Sequence, residues 1–214
     1  MAQKIKYTQK ELKRNDKFRE IAAKGLNALI KNFNKILIFT GLVIIILIGI
    51  YFYSNFKEKE TIEANKMFDS AFEKFQNGNQ IDALNEFNLL TKEFPNEKIS
   101  TLALYYAGVI SNDLGNYEGS IHYLNKFLKN NSTDQLLNDA ALYAIGLSSY
   151  NLENWENSIK YLSQINSNGS PYEHNGKLHL GFAYEKIGQK DKAEEIFNEI
   201  LINQSAAGNS VNLQ

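Results

Sequence analysis

The sequence predicts an all-α protein, with one apolar helix near its N-terminus followed by an α-solenoid of about four helical hairpins. Three observations lead there. Ile36 to Phe56 is apolar and free of charge over 21 positions. Residues 60–203 align with themselves at a period in the mid-thirties. Proline is confined to Pro95 and Pro171, which favours long helices over turn-rich β structure.

The apolar run comes first. A helix of that length rises roughly 30 Å, the thickness of a bilayer's hydrocarbon core. A soluble helix keeps a polar face, and this segment has none. Tyr51, Phe52, Tyr53 and Phe56 gather at its end, as an interfacial aromatic belt does. No small-x-small cleavage pattern follows, so the segment reads as a retained membrane anchor at 36–56. Residues 1–35 carry ten Lys/Arg against three Asp/Glu, whereas residues 57–214 carry thirteen against twenty-one. Positive charge stays on the cytoplasmic side, so the arm is expected in the cytoplasm and the larger part across the membrane. In a bacterial inner membrane that places residues 57–214 in the periplasm.

Within the arm, Phe18, Ile21, Ala22, Leu26, Leu29, Ile30 and Phe33 recur at helical spacing, with Lys17, Arg19, Glu20, Lys24, Asn27 and Lys31 taking the remaining positions. This predicts a basic amphipathic helix that lies in the headgroup region or docks on a partner. Phe18, Ile21, Leu26, Leu29 and Phe33, with Tyr51, Phe52 and Tyr53, are the expected membrane-interface residues.

The repeats register on a small residue: Ala71, Gly108, Gly146 and Gly181. Seven positions on lies a turn residue, Gly78, Gly115, Glu153 or Gly188. A second small position holds Ala83, Ser120, Ser158 and Ala193, followed by Phe87, Leu124, Leu162 and Phe197, then Leu90, Phe127, Ile165 and Ile200. Two amphipathic helices around a turn, repeated at a fixed period, are a solenoid signature. A mid-helix glycine costs roughly 1 kcal/mol against alanine, so Gly108, Gly146 and Gly181 mark places where another helix must come close. Ala83 and Ala193 serve the same crossing from the other side. The hairpins are expected over about 61–93, 97–130, 134–166 and 172–203, within a repeat domain at 57–203. The polar residues 204–214 are expected to be disordered, leaving the edge of the last repeat to be covered by a partner or by self-association.

This pattern resembles the tetratricopeptide repeat, and the likeness covers about two-thirds of the chain. Bulky Leu90, Phe127, Ile165 and Ile200 stand where that pattern has a small residue, a departure expected to widen the packing between repeats. The resemblance implies a right-handed solenoid with a concave face lined by the first helix of each hairpin. By register the groove residues are Phe68, Phe72, Phe75, Tyr105, Val109, Tyr143, Leu147, Tyr150, Leu178 and Phe182. The charged clamp for acidic C-termini found in that family is replaced by apolar and aromatic residues. The expected ligand is therefore an apolar or aromatic polypeptide segment.

Chemistry is sparse elsewhere. The chain has no cysteine, which excludes disulfides, thiolate metal sites, a cysteine nucleophile and a lipidated-cysteine anchor. His174 and His179 are five apart, not the four of a helical metal pair. LGNYEG and KIGQK are interhelix turns, not phosphate loops. No nucleophile, base and orienter come together, so no enzyme, metal or cofactor is expected. The acidic second part disfavours nucleic acid as a partner.

One membrane helix after a short basic arm, followed by four repeats, also resembles the ancillary SecYEG translocon subunit (YfgM-like) family. That likeness implies a non-enzymatic scaffold ancillary to protein translocation and periplasmic chaperones. Two alternatives stand beside it: an envelope-assembly or cell-division scaffold, and an organelle import receptor with cytosolic repeats, which the charge distribution opposes.

Overall fold

The computed structural model describes residues 9–130, 134–165 and 169–211. These are helical apart from short connections: α1 Gln9–Lys31, α2 Phe33–Gln76, α3 Gln80–Glu93, α4 Lys98–Asp113, α5 Tyr117–Asn130, α6 Gln135–Asn151, α7 Trp155–Leu162, α8 Glu173–Lys186 and α9 Lys190–Val211. The chain forms two compact units, residues 1–58 and 59–214.

The first unit holds α1 and the N-terminal part of α2. Its large apolar side chains, among them Phe18, Leu26, Ile46 and Phe52, are exposed. Among the described residues, α2 is the helix long and apolar enough to cross a membrane by length and composition.

In the second unit consecutive helices pack as hairpins: the end of α2 with α3, α4 with α5, α6 with α7, and α8 with α9. Successive first helices also touch, α4 on α6 and α6 on α8. One geometric relation recurs in the last three hairpins. A Cβ placed on Gly108 would lie 2.7 Å from Leu124 Cδ2, one on Gly146 would lie 2.5 Å from Leu162 Cγ, and one on Gly181 would lie 2.5 Å from Phe197 Cε1. Each partner is sixteen residues further on. In the first hairpin Ala71 and Phe87 keep that spacing and share one buried cluster. The second small position is buried throughout, at Ala83, Ser120, Ser158 and Ala193. The Ser120 and Ser158 hydroxyls have no hydrogen-bond partner there, so size, not polarity, governs the position.

Between repeats the sizes are exchanged. Leu90 is buried with Ala103 of the next first helix, and Phe127 with Ala141. A Cβ on Gly176 would stand 2.7 Å from Ile165 Cδ1. The bulky residue closing one repeat thus meets a small one opening the next, which offsets the widening expected from the sequence. Hydrogen bonds of one-repeat reach hold the same spacing. Asn112 Nδ2 donates to Ser148 Oγ at 2.6 Å, Tyr161 Oη to Asn125 Oδ1 at 2.9 Å and Thr61 Oγ1 to Glu97 Oε2 at 2.9 Å, each across 36 residues.

All four hairpin turns are built alike. Gly78, Gly115, Glu153 and Gly188 have φ of +79°, +76°, +58° and +77°. The next N–H reaches back five residues: Asn79 to Lys74 O, Asn116 to Ser111 O, Asn154 to Ser149 O and Gln189 to Tyr184 O, at 2.8–2.9 Å. This is the Schellman closure, whose left-handed residue is normally glycine. In two turns the following asparagine then caps the second helix. Asn116 Oδ1 accepts from Gly119 N–H at 3.0 Å, and Asn154 Oδ1 from Asn157 N–H at 3.1 Å.

One boundary differs from expectation. The last helix was expected to end at 203, and α9 continues to Val211. Residues 204–211 contain no proline, and once a helix is nucleated each added residue costs little, so a polar composition does not terminate it.

Two outcomes follow from this geometry. Glu153 adopts a conformation that costs an L-residue roughly 1–2 kcal/mol. Glu153→Gly is therefore expected to stabilise the protein by about 0.5–1 kcal/mol, read as a higher melting temperature; a lower one would show that the Glu153 side chain contributes more than its strain. Gly108→Ala is expected to cost about 1–3 kcal/mol through overpacking, despite alanine's better helix propensity. Adding Leu124→Ala should recover part of that loss in a double-mutant cycle, and additive costs would mean that the two positions are not in contact.

Candidate functional site

The groove residues expected from the sequence all lie on the first helices of the hairpins, the end of α2 with α4, α6 and α8. Their surroundings differ. Phe68 is 8% exposed and lies against Phe72, Phe87 and Tyr106, with ring centroids 6.0, 5.4 and 5.8 Å away. It is core, not groove, because Tyr106 from the next repeat covers it. Phe72 and Phe75 are half-buried and flank the same tyrosine at 5.2 and 5.6 Å. Val109, Leu147 and Leu178 are half-buried, and Phe182 is exposed at 37%.

A second aromatic group spans the third and fourth hairpins. Tyr143 stands 5.7 Å from Tyr172 and 5.9 Å from His179. His179 in turn lies 6.1 Å from Tyr150 and 6.1 Å from Phe182. Tyr150 meets Trp155 edge-on at 4.8 Å, and Phe182 meets Phe197 at 5.5 Å. Tyr105 connects this group to the second hairpin. It packs on Phe127 at 5.4 Å. Burial first, then the neighbouring Tyr172 and Tyr106, push its pKa up to about 12. Burial likewise raises Tyr143. Both stay neutral over the physiological range, so the stripe presents rings and hydroxyls without charge.

Sequence reasoning missed four members of this surface: Tyr106, Trp155, Tyr172 and His179. Tyr106 and His179 each precede the registered glycine by two positions, and that shared offset was the available signal. Tyr172 and Trp155 lie at helix starts, outside the first-helix register. His122 and His174 are exposed. Among the described residues no three His, Asp or Glu side chains gather as a metal site would require.

Charges near the hairpins are paired. Lys74 Nζ lies 2.6 Å from Glu86 Oε2, and Lys177 Nζ lies 2.9 Å from Glu173 Oε1 and 2.6 Å from Glu199 Oε1. Away from the stripe, a crevice of about 320 Å³ is lined by Thr91, Lys92, Ser100, His122 and Lys126. Lys92, His122 and Lys126 are exposed there, and nothing converges on a bound group.

His179 gives the surface a dependence on pH. Burial lowers its pKa below the ordinary imidazole value, and its Nδ1 is buried without a hydrogen-bond partner. The unfolded chain takes up the proton more readily than the folded one. Stability is therefore fully present above the ordinary imidazole pKa and falls as the pH drops through it. Between about pH 7.5 and about pH 5.5, wild type should lose more melting temperature than His179→Phe; equal losses would show that His179 titrates as a free side chain.

Comparison with known proteins agrees with this geometry. A family profile described as a tetratricopeptide repeat-like domain matches residues 29–212. No curated protein matches the chain in sequence. Among solved structures, MamA residues 41-end from Desulfovibrio magneticus RS-1 is similar with a TM-score of 0.57 at 20% identity, covering 67% of this chain and 76% of that one. A second MamA crystal structure gives 0.53 at 21% identity, covering 61% and 72%. A kinesin light chain-like protein of Podosopora anserina, with nearly identical tetratricopeptide-like repeats, gives 0.57 at 12% identity, covering 68% and 76%. At such identities the likeness concerns the fold alone.

Proposed function

The chain belongs to the tetratricopeptide repeat-like domain family, and from that premise we propose that it is a non-enzymatic, membrane-anchored scaffold that holds apolar or aromatic polypeptide segments against its repeats. A repeat fold of this kind is suited to protein–protein interaction. The observation that carries the reading is the tyrosine-rich stripe Tyr105–Tyr143–Tyr150–Phe182, half-buried to exposed and uncharged. Tyrosine offers an apolar ring and a hydrogen-bonding tip at small entropic cost, which suits a surface that receives unlike sequences. The apolar part of α2, residues 36–56, is the proposed anchor in a bacterial inner membrane, with the basic arm cytoplasmic and the repeats periplasmic. Its resemblance to the ancillary translocon subunits makes chains emerging from the translocon, and the chaperones that meet them, the proposed clients.

The test is a photo-crosslinking amino acid at Tyr143, with His122 on the exposed side of α5 as the comparison site, in intact cells. Adducts to exported or envelope proteins from Tyr143 but not His122, together with protease access to residues 57–214 from outside the inner membrane, are expected. Equal adducts from both sites would sink the groove. Adducts to cytosolic proteins with a protected repeat domain would invert the topology and favour an import receptor.

A further inference from the structure

We infer that α1 is an interfacial helix that recognises an anionic lipid surface through a row of lysines, beyond serving as a charge marker for topology; the inference rests on the proposed reading of α2 as a membrane anchor. Large apolar side chains of α1 and the residues just after it lie open, from 55% exposed at Leu29 to 71% at Phe18 and Ile21. Advancing about 100° per residue, Ile21, Phe18, Leu29, Phe33, Leu26 and Ile30 sweep about half the helix circumference. A two-helix seam uses a narrower stripe of a and d positions, whereas a helix half-sunk in a bilayer surface uses an arc this wide. The width therefore argues for a lipid plane over a second copy of the helix.

Cations line the arc's edge and the polar face beyond it. Lys17, Lys24 and Lys31 recur every seventh residue, and a drift of about 20° per heptad carries the row from beside the arc toward the middle of the polar face. The Lys17 end of the row adjoins Ile21. Arg19 falls between Leu26 and Ile30 at the opposite border. At such boundaries the long side chains of Lys17 and Arg19 lay their stems on the apolar surface and put their charges at phosphate depth, while Lys24 and Lys31 add positive charge from the polar face. Glu20 faces the polar side, where it pairs with Lys24 at 2.7 Å.

Continuity supplies the proximity. Asn32 alone separates α1 from α2, and its backbone N–H still bonds Ala28 O at 3.1 Å. If α2 spans the bilayer from residue 36, α1 ends within about a turn of the span and is held at the headgroups without a separate binding event.

The absence of cysteine lets one introduced thiol report on one face. The full chain, carrying Leu26→Cys or Asn27→Cys labelled with a polarity-sensitive fluorophore, would be reconstituted in phosphatidylcholine vesicles with or without phosphatidylglycerol. A blue shift at position 26 but not 27, larger with phosphatidylglycerol and lost on combining Lys17→Gln, Lys24→Gln and Lys31→Gln, is the expected result. Indistinguishable labels, an equal response in neutral vesicles, or an unchanged response in the triple variant would overturn the inference. Alkaline extraction of the same vesicles reports on α2 independently. Release of the chain would end the anchor reading, whereas retention with unresponsive labels would end only the lysine-row inference.

Discussion

The repeat unit depends on how closely two helices cross at a residue without a side chain, or with the smallest one. Gly108, Gly146 and Gly181 each lose roughly 1 kcal/mol of helix propensity. Each in return admits a Leu or Phe sixteen residues on, Leu124 and Leu162 buried and Phe197 half-buried, and fully burying such a side chain is worth about 1.5–3 kcal/mol. The balance favours the crossing in every hairpin. It also fixes the register, since sliding one helix by a residue would set Leu124 or Leu162 against a side chain instead of a gap. The exchange at the repeat boundary, Leu90 with Ala103 and Phe127 with Ala141, applies the same rule to the next interface. One device, large against small, therefore sets both the angle within a hairpin and the stacking between hairpins.

The turns are the second constraint. The Schellman bonds from Asn79, Asn116, Asn154 and Gln189 leave three residues between the first helix and the second, with no longer loop to absorb an error in length. A closure this tight demands a left-handed residue, and three of the four turns use glycine there. Glu153 keeps the same backbone with a side chain attached, so the geometry is imposed by the helices it joins rather than by local preference.

This division explains what could be read from the sequence. Small residues, turn residues and their spacing follow from backbone sterics, which admit few residue types, so the hairpins were legible from Gly108, Gly146 and Gly181 alone. The exposure of the stripe was not. Phe68 and Phe72 lie on one face of one helix, yet Phe68 is core because Tyr106 arrives from the next repeat. That outcome depends on which side chain stands two positions before a glycine elsewhere, where Asp69, Tyr106, Ala144 and His179 differ in every repeat. Helix ends were equally hidden: α9 passes residue 203 because nothing in 204–211 forbids it, and permissive sequence carries no stop.

The character of the stripe follows from what the hairpins do with charge. Lys74 and Lys177 are satisfied by glutamates on the second helix of their own hairpin, so these cations staple the scaffold and do not reach for a ligand. Lys186 lies 5.7 Å above the Trp155 ring, so its charge covers one face of that half-buried aromatic. What the first helices present is then chiefly ring surface with neutral hydroxyls, Tyr105 and Tyr143 holding their protons through burial. On the proposed reading, such a surface would gain little from a particular charged terminus and much from displacing water over an apolar segment long enough to cross two repeats. The stripe would then join broad choice of sequence to a rigid spacing, because the same glycine crossings that stack the hairpins also fix the distance between successive rings.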